Sequence, residues 1–160
     1  MTTRQDHRAR IEGAFAPFAA MLREGRFARP DEGWPAELVA AHVVLNNDEF
    51  TRVAEAVARG EQPEYDNATA TDETALRAFA HEAGGLAGLA DAVERSAARL
   101  AAARAALTDE QAAREIRLRI RHDGQLVRDA PGPIGDWIEG NASFHLRTHT
   151  EQLAALRTAD

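Results

Sequence analysis

His145 and His149 stand four residues apart in segment 133–156. Winding that segment at about 100° per residue puts Ile134, Ile138, His145, His149 and Leu156 in one narrow stripe. That stripe is the side a helix turns to its core, so two imidazoles are aimed inward. A buried imidazole needs partners for its ring nitrogens, and a pair at i, i+4 on one helical face can chelate a divalent cation. A third histidine is available on a second helical pattern, 35–57, whose apolar stripe is Val39, Val43, Phe50, Val53 and Val57. His42 lies on its flank, about 60° from the centre by the same winding. Asn46 falls near the centre of the stripe and Glu49 beside His42. Two apolar faces, each interrupted by metal-ligand residue types, point to a metal site formed by His42, His145 and His149. Asn46, Asn141 and Gln152 fall near the inner stripes and are candidates to orient ligands or a bound water; Glu49 is the candidate acid or base.

The chain has no cysteine, which removes disulfides, thiolate ligands and a thiol nucleophile of its own. Any metal must be held by His, Asp, Glu, Asn or Gln, and any reacting thiol must arrive as a cosubstrate. Three neutral imidazoles leave at least one coordination position open, as a catalytic metal needs and a closed structural site does not. No His-Glu-x-x-His pattern, phosphate-binding glycine loop or nucleophile elbow is present. The net charge of -7 argues against a nucleic-acid partner, which needs a basic surface to displace counterions from phosphates. Nowhere do about 18 apolar residues run together, so no membrane partner is expected and a cytoplasmic location is.

The elements that must position these residues can be read from periodicity. At 160 residues one domain spanning 1–160 is expected. A first helix covers 3–25, with Ile11, Phe15, Phe18, Met21 and Leu22 on its apolar side and Pro17 expected to kink or divide it. The second helix follows Gly33-Trp34-Pro35, with Trp34 packing over its start. Residues 61–70 read as a loop. A long third helix opens at Thr71 or Asp72 and keeps its period to about Leu107, with a bend or tight contact at Gly84, Gly85 and Gly88. From Arg114 to Ala130 the period becomes alternating. Asp123-Gly124 then signals a two-residue hairpin turn, whose register would set Arg119 opposite Arg128. Pro131-Gly132-Pro133 should break the chain and start the histidine-bearing helix. The fold class is therefore mainly α: an up-down four-helix bundle with a short β-hairpin before the last helix. His7, His81 and His122 are given no ligand role.

The stretches Gly33-Trp34-Pro35-x-Glu37-Leu38-x-x-x-His42 and Trp137-Ile138-x-Gly140-Asn141-x-x-x-His145-x-x-x-His149 resemble the DinB-like superfamily of four-helix-bundle metalloproteins. That superfamily includes mycothiol-dependent maleylpyruvate isomerases and bacterial thiol S-transferases. The resemblance spans the chain in element order and implies a divalent metal, zinc or nickel, on His42, His145 and His149. It also implies a transferase or isomerase that delivers a low-molecular-weight thiol of the mycothiol type to a small electrophilic substrate. The alternatives are a detoxifying hydrolase that uses a metal-bound hydroxide, and a binding or stress-response bundle without turnover. A homodimer is expected, partly from the resemblance and partly because Val44 and Phe144 lie off the inward stripes of their helices.

Overall fold

The computed structural model describes residues 3–158. The chain is mainly helical with a small three-stranded mixed sheet. The first helix, α1 (Arg4–Glu24), is opened by a capping box: Thr3 Oγ1 accepts from the Asp6 amide at 3.1 Å and the Asp6 carboxylate accepts from the Thr3 amide at 2.8 Å. Pro17 does not divide it. The proline is exposed, so the carbonyl it leaves unpaired can be met by water. α2 (Ala36–Ala58) follows Pro35 and is buried on most of its circumference. Val44 is only 1% exposed and so offers no outer surface to a second copy, contrary to the expectation; Phe144 is 68% exposed.

Residues 61–70, expected to be a loop, hold β1 (Glu64–Asp66) and the single turn α3 (Ala68–Thr71). A three-residue strand is too short for alternation to declare it. The long third helix is two: α4 (Glu73–Ala83), capped by the Asp72 carboxylate, and α5 (Leu86–Ala106). The break falls at Gly84 and Gly85, whose φ values of 83° and 99° are open to glycine and strained for other residues. At Gly88 a Cβ would lie 1.7 Å from the Ala83 carbonyl oxygen, so the expected close contact is there. α5 packs against both α1 and α2, burying Leu89, Val93 and Leu100 against Ile11, Phe15, Phe18, Val39, Val53 and Val57.

After α6 (Asp109–Ala112) come β2 (Glu115–His122) and β3 (Gln125–Pro133), in the sheet order β1-β2-β3 with β1 parallel and β3 antiparallel to β2. Pro131 and Pro133 belong to β3 and do not break the chain before the helix; on an edge strand their missing N–H groups are tolerated. The hairpin turns at Asp123 and Gly124 as expected, both at positive φ. Its register is not the expected one. A bulge between Ile120 and Arg121 leaves Val127 without a partner and pairs Ile120 with Arg128 and Arg119 with Asp129. The like-charge opposition disappears, and Arg117 makes a two-pronged ion pair with Asp129 at 2.6 and 2.7 Å.

The last helix is α7 (Ile134–Gly140), a π-helical turn (Asn141–His145) and α8 (Leu146–Ala155) in unbroken succession. A π turn takes up an extra residue, which sets the following helix back by about one residue's rotation, roughly 100°. Hence Leu146 and Leu153, off the stripe in a uniformly wound helix, occupy the core, while Leu156 is half-buried. His145 and His149 move from the centre of the stripe to its flank and are half-buried beside a cavity.

Candidate metal centre

Three elements bring the imidazoles together. His42 comes from α2 and is 4% exposed; His145 closes the π turn and His149 follows one turn later on α8. His42 Nε2 lies 3.0 Å from His145 Nε2, and His149 Nε2 lies 3.0 Å from the same atom. The three nitrogens all fall within 4.8 Å of one another. The sequence expectation that these side chains converge is met.

Their second nitrogens decide what the first can do. His42 Nδ1–H donates to the Ala70 carbonyl at 2.5 Å, and His149 Nδ1–H donates to Gln152 Oε1 at 2.9 Å. In neutral rings this leaves Nε2 of both as bare acceptors. His145 can carry one proton on Nε2 and so can satisfy only one of its two neighbours. A cation at the centre of the three lone pairs satisfies all of them, and the 3.0 Å separations are spans that one ion ligated at about 2.0–2.1 Å can bridge. A set of neutral nitrogens with no carboxylate suits zinc, nickel, cobalt or copper rather than calcium or magnesium. The outer bonds from Nδ1 to Ala70 and Gln152 fix ring orientation in the way metal-bound histidines require.

Electrostatics keep the rings ready to ligate. Burial, then the nearby His149, lowers His42 from 6.5 to about 4, against the opposing bond from Ala70. His145 is lowered further, first by burial and then by His149 and His42. His149 is lowered by burial, opposed by its bond to Gln152. All three are neutral at pH 7, so no imidazolium has to be discharged before a metal binds; His145 has only to carry its proton on Nδ1 in place of Nε2.

The rings open onto a cavity of about 770 Å³. Its lining includes Trp34, whose ring centroid is 5.2 Å from that of His42, and the hairpin residues Ile120, Arg121 and Val127. The Arg121 guanidinium is held by the Asp66 carboxylate at 3.0 and 3.1 Å, which pulls the Asp66 pKa down. Asn67 accepts from the Arg121 amide at 2.7 Å and donates to its carbonyl at 3.2 Å. β2 is thereby tied to the turn that supplies Ala70.

The other candidates are placed differently. Glu49 is not among the residues lining the cavity; it pairs with Arg52 at 2.7 and 2.8 Å and accepts from the Asp66 amide at 3.3 Å. Asn46 and Asn141 are buried below the rings and bonded to each other at 2.6 Å. Gln152 both lines the cavity and holds His149. His7, 2.9 Å from Glu139, and the exposed His81 and His122 are not in the cluster. Reasoning from sequence missed the Ala70 carbonyl, which lay in the presumed loop. It also missed Tyr65, Asn47 and Ser96; the polar doublet Asn46-Asn47 in an otherwise apolar helix was the signal for the last two.

No protein-family model, curated protein or solved structure matches the chain. What can be said of this site comes from its own residues.

Proposed function

We propose that the chain is a divalent-metal-dependent transferase or isomerase that places a low-molecular-weight thiol, of the mycothiol type, on a small electrophilic substrate, within a DinB-like four-helix bundle. The observation that carries this reading is the convergence of three Nε2 lone pairs beside a cavity, with both outer Nδ1–H groups already committed. A metal held there, zinc or nickel, would supply a Lewis acid that lowers the pKa of a thiol or water brought to it.

The chain's own groups support the rest. With no cysteine in the sequence, the thiol must come from outside, and the cavity of about 770 Å³ has room for one beside the rings. Among the described residues lining it, the only guanidinium is that of Arg121, and it is taken up by Asp66. The wall thus offers no unpaired guanidinium to a thiol that carries several carboxylates, and suits an uncharged, sugar-like one better. Trp34, Ile120 and Val127 supply apolar surface for the electrophile.

The test is thiol addition to a small chromogenic electrophile by tag-free protein, metal-stripped and then reloaded with zinc or nickel. Turnover confined to the reloaded protein and dependent on added thiol is expected. Equal rates with and without metal would remove the metal from the chemistry. Consumption of the electrophile without thiol would replace the transferase reading by a hydrolase one, and no turnover of any kind by a binding role.

A further inference from the structure

The histidine cluster stands on a second, fully buried polar structure. Tyr65 Oη–H donates to Asn46 Oδ1. Asn46 Nδ2 donates to Asn141 Oδ1 at 2.6 Å, Asn141 Nδ2 to Asn47 Oδ1 at 2.9 Å, and Asn47 Nδ2 to Ser96 Oγ at 3.1 Å. Ser96 Oγ–H ends the run on the Val93 carbonyl at 3.0 Å. The string crosses the core from β1 through α2 and the π turn to α5, and every residue along it is buried.

Two rungs connect α2 to the last helix. One is His42 with His145; the other is Asn46 with Asn141. Each lower partner is four residues from the upper one, forward along α2 and backward along the last helix, so the two helices run antiparallel with the amide rung one turn below the imidazole rung. Asn141 is also the first residue of the π turn and His145 the last. A π turn is a sparsely used backbone state that needs support from its surroundings. Here that support is visible, because the Asn141 amide is held on both sides by α2. A buried amide has few other ways to be satisfied, so its two partners fix where the extra residue is inserted. The insertion is what carries His145 and His149 out of the core stripe.

We infer that Asn141 is a positioning residue: through its bonds to Asn46 and Asn47 it fixes the π turn and thereby aims His145 and His149 at His42. The inference rests on the metal-site reading for its use but not for its test. In metal-free protein with labelled histidines, ring-to-ring nuclear Overhauser contacts between His42 and His145, and the ring nitrogen shifts, report the aim directly. In cobalt-loaded protein, affinity and the visible absorption of the ion report it again.

Asn141→Ala is expected to lose the His42–His145 contacts and to bind cobalt about tenfold more weakly or worse, with an altered spectrum, as support groups around metal ligands do. Asn47→Ala removes one of the two bonds that hold the Asn141 amide and should move the same signals less; it decides the matter if Asn141→Ala does not fold. Leu100→Ala, a core truncation off the string, should lower the melting temperature while leaving ring contacts and cobalt spectrum as in the wild type. Ring contacts unchanged in folded Asn141→Ala, or in Asn47→Ala if that is the variant that folds, would overturn the inference. Wild-type protein that takes up no cobalt would sink the metal reading alone, and the metal-free ring contacts would still decide the positioning role.

Discussion

Lowering the pH should destabilise the metal-free protein well before its carboxylates titrate. His42 ionises at 6.5 as an ordinary imidazole and at about 4 in the fold, with burial the largest cause. Between those values the unfolded chain binds a proton that the native state refuses, so stability falls as pH falls. For this one group the loss between about pH 7.5 and pH 5 is about 2 kcal/mol, approaching about 3 kcal/mol once the pH is below both values. His145 and His149 are displaced in the same direction and titrate as a coupled set with His42, so the whole cluster should lose more than the single ring. Carboxylates held in ion pairs, such as Asp66 and Asp129, are lowered from 3.8. Their contribution is lost only below about pH 4, outside the window. Urea unfolding of chelator-treated protein at about pH 7.5 and pH 5 measures the difference through the shift in midpoint at constant slope. A fall of less than about 1 kcal/mol would mean that the rings are not held neutral in a desolvated cluster, and the argument for convergent lone pairs would go with it.

Other outcomes can be checked in parallel. His145→Ala removes the nitrogen that lies 3.0 Å from both of its neighbours and should abolish stoichiometric zinc or nickel in elemental analysis of tag-free protein. Gly88→Ala places a Cβ against the Ala83 carbonyl, backbone that cannot give way, and should lower stability by about 1–3 kcal/mol in urea. Gly13→Ala, at an open position inside α1 where an added Cβ meets nothing within 4 Å, should raise it by about 0.5–1 kcal/mol. If the chain dimerises through its exposed Phe144, Phe144→Glu should convert the species seen by sedimentation to single-chain mass; wild-type protein already at that mass removes the dimer.

The parts of this structure legible in the sequence are those where a fixed period holds. The apolar rows Ile11, Phe15, Phe18 and Leu22 of α1 and Val39, Val43, Phe50, Val53 and Val57 of α2 are buried where a steady winding puts them. The switch to alternation at β2 and the Asp123-Gly124 turn are equally plain. The departures have a common physical form, the insertion of one residue into a regular element. Val127 is the extra residue of β3, and it turns the expected Arg119 and Arg128 opposition into a pairing of Arg119 with Asp129. The π turn Asn141–His145 is the extra residue of the last helix, and it exchanges the histidines for Leu146 and Leu153 in the core. Period counting cannot register such an insertion, because each flank keeps its own period and only the phase between them jumps.

Both insertions border the same cavity, Val127 from the hairpin and His145 from the last helix. Bulges and π turns interrupt regular hydrogen bonding and are frequent beside functional sites, where they re-aim side chains. In a uniform helix His145 would be sealed in the core; in a uniform hairpin the tip would leave the strand at another angle. The two irregularities therefore border one site, and a regular period is broken at the place where the chemistry is proposed.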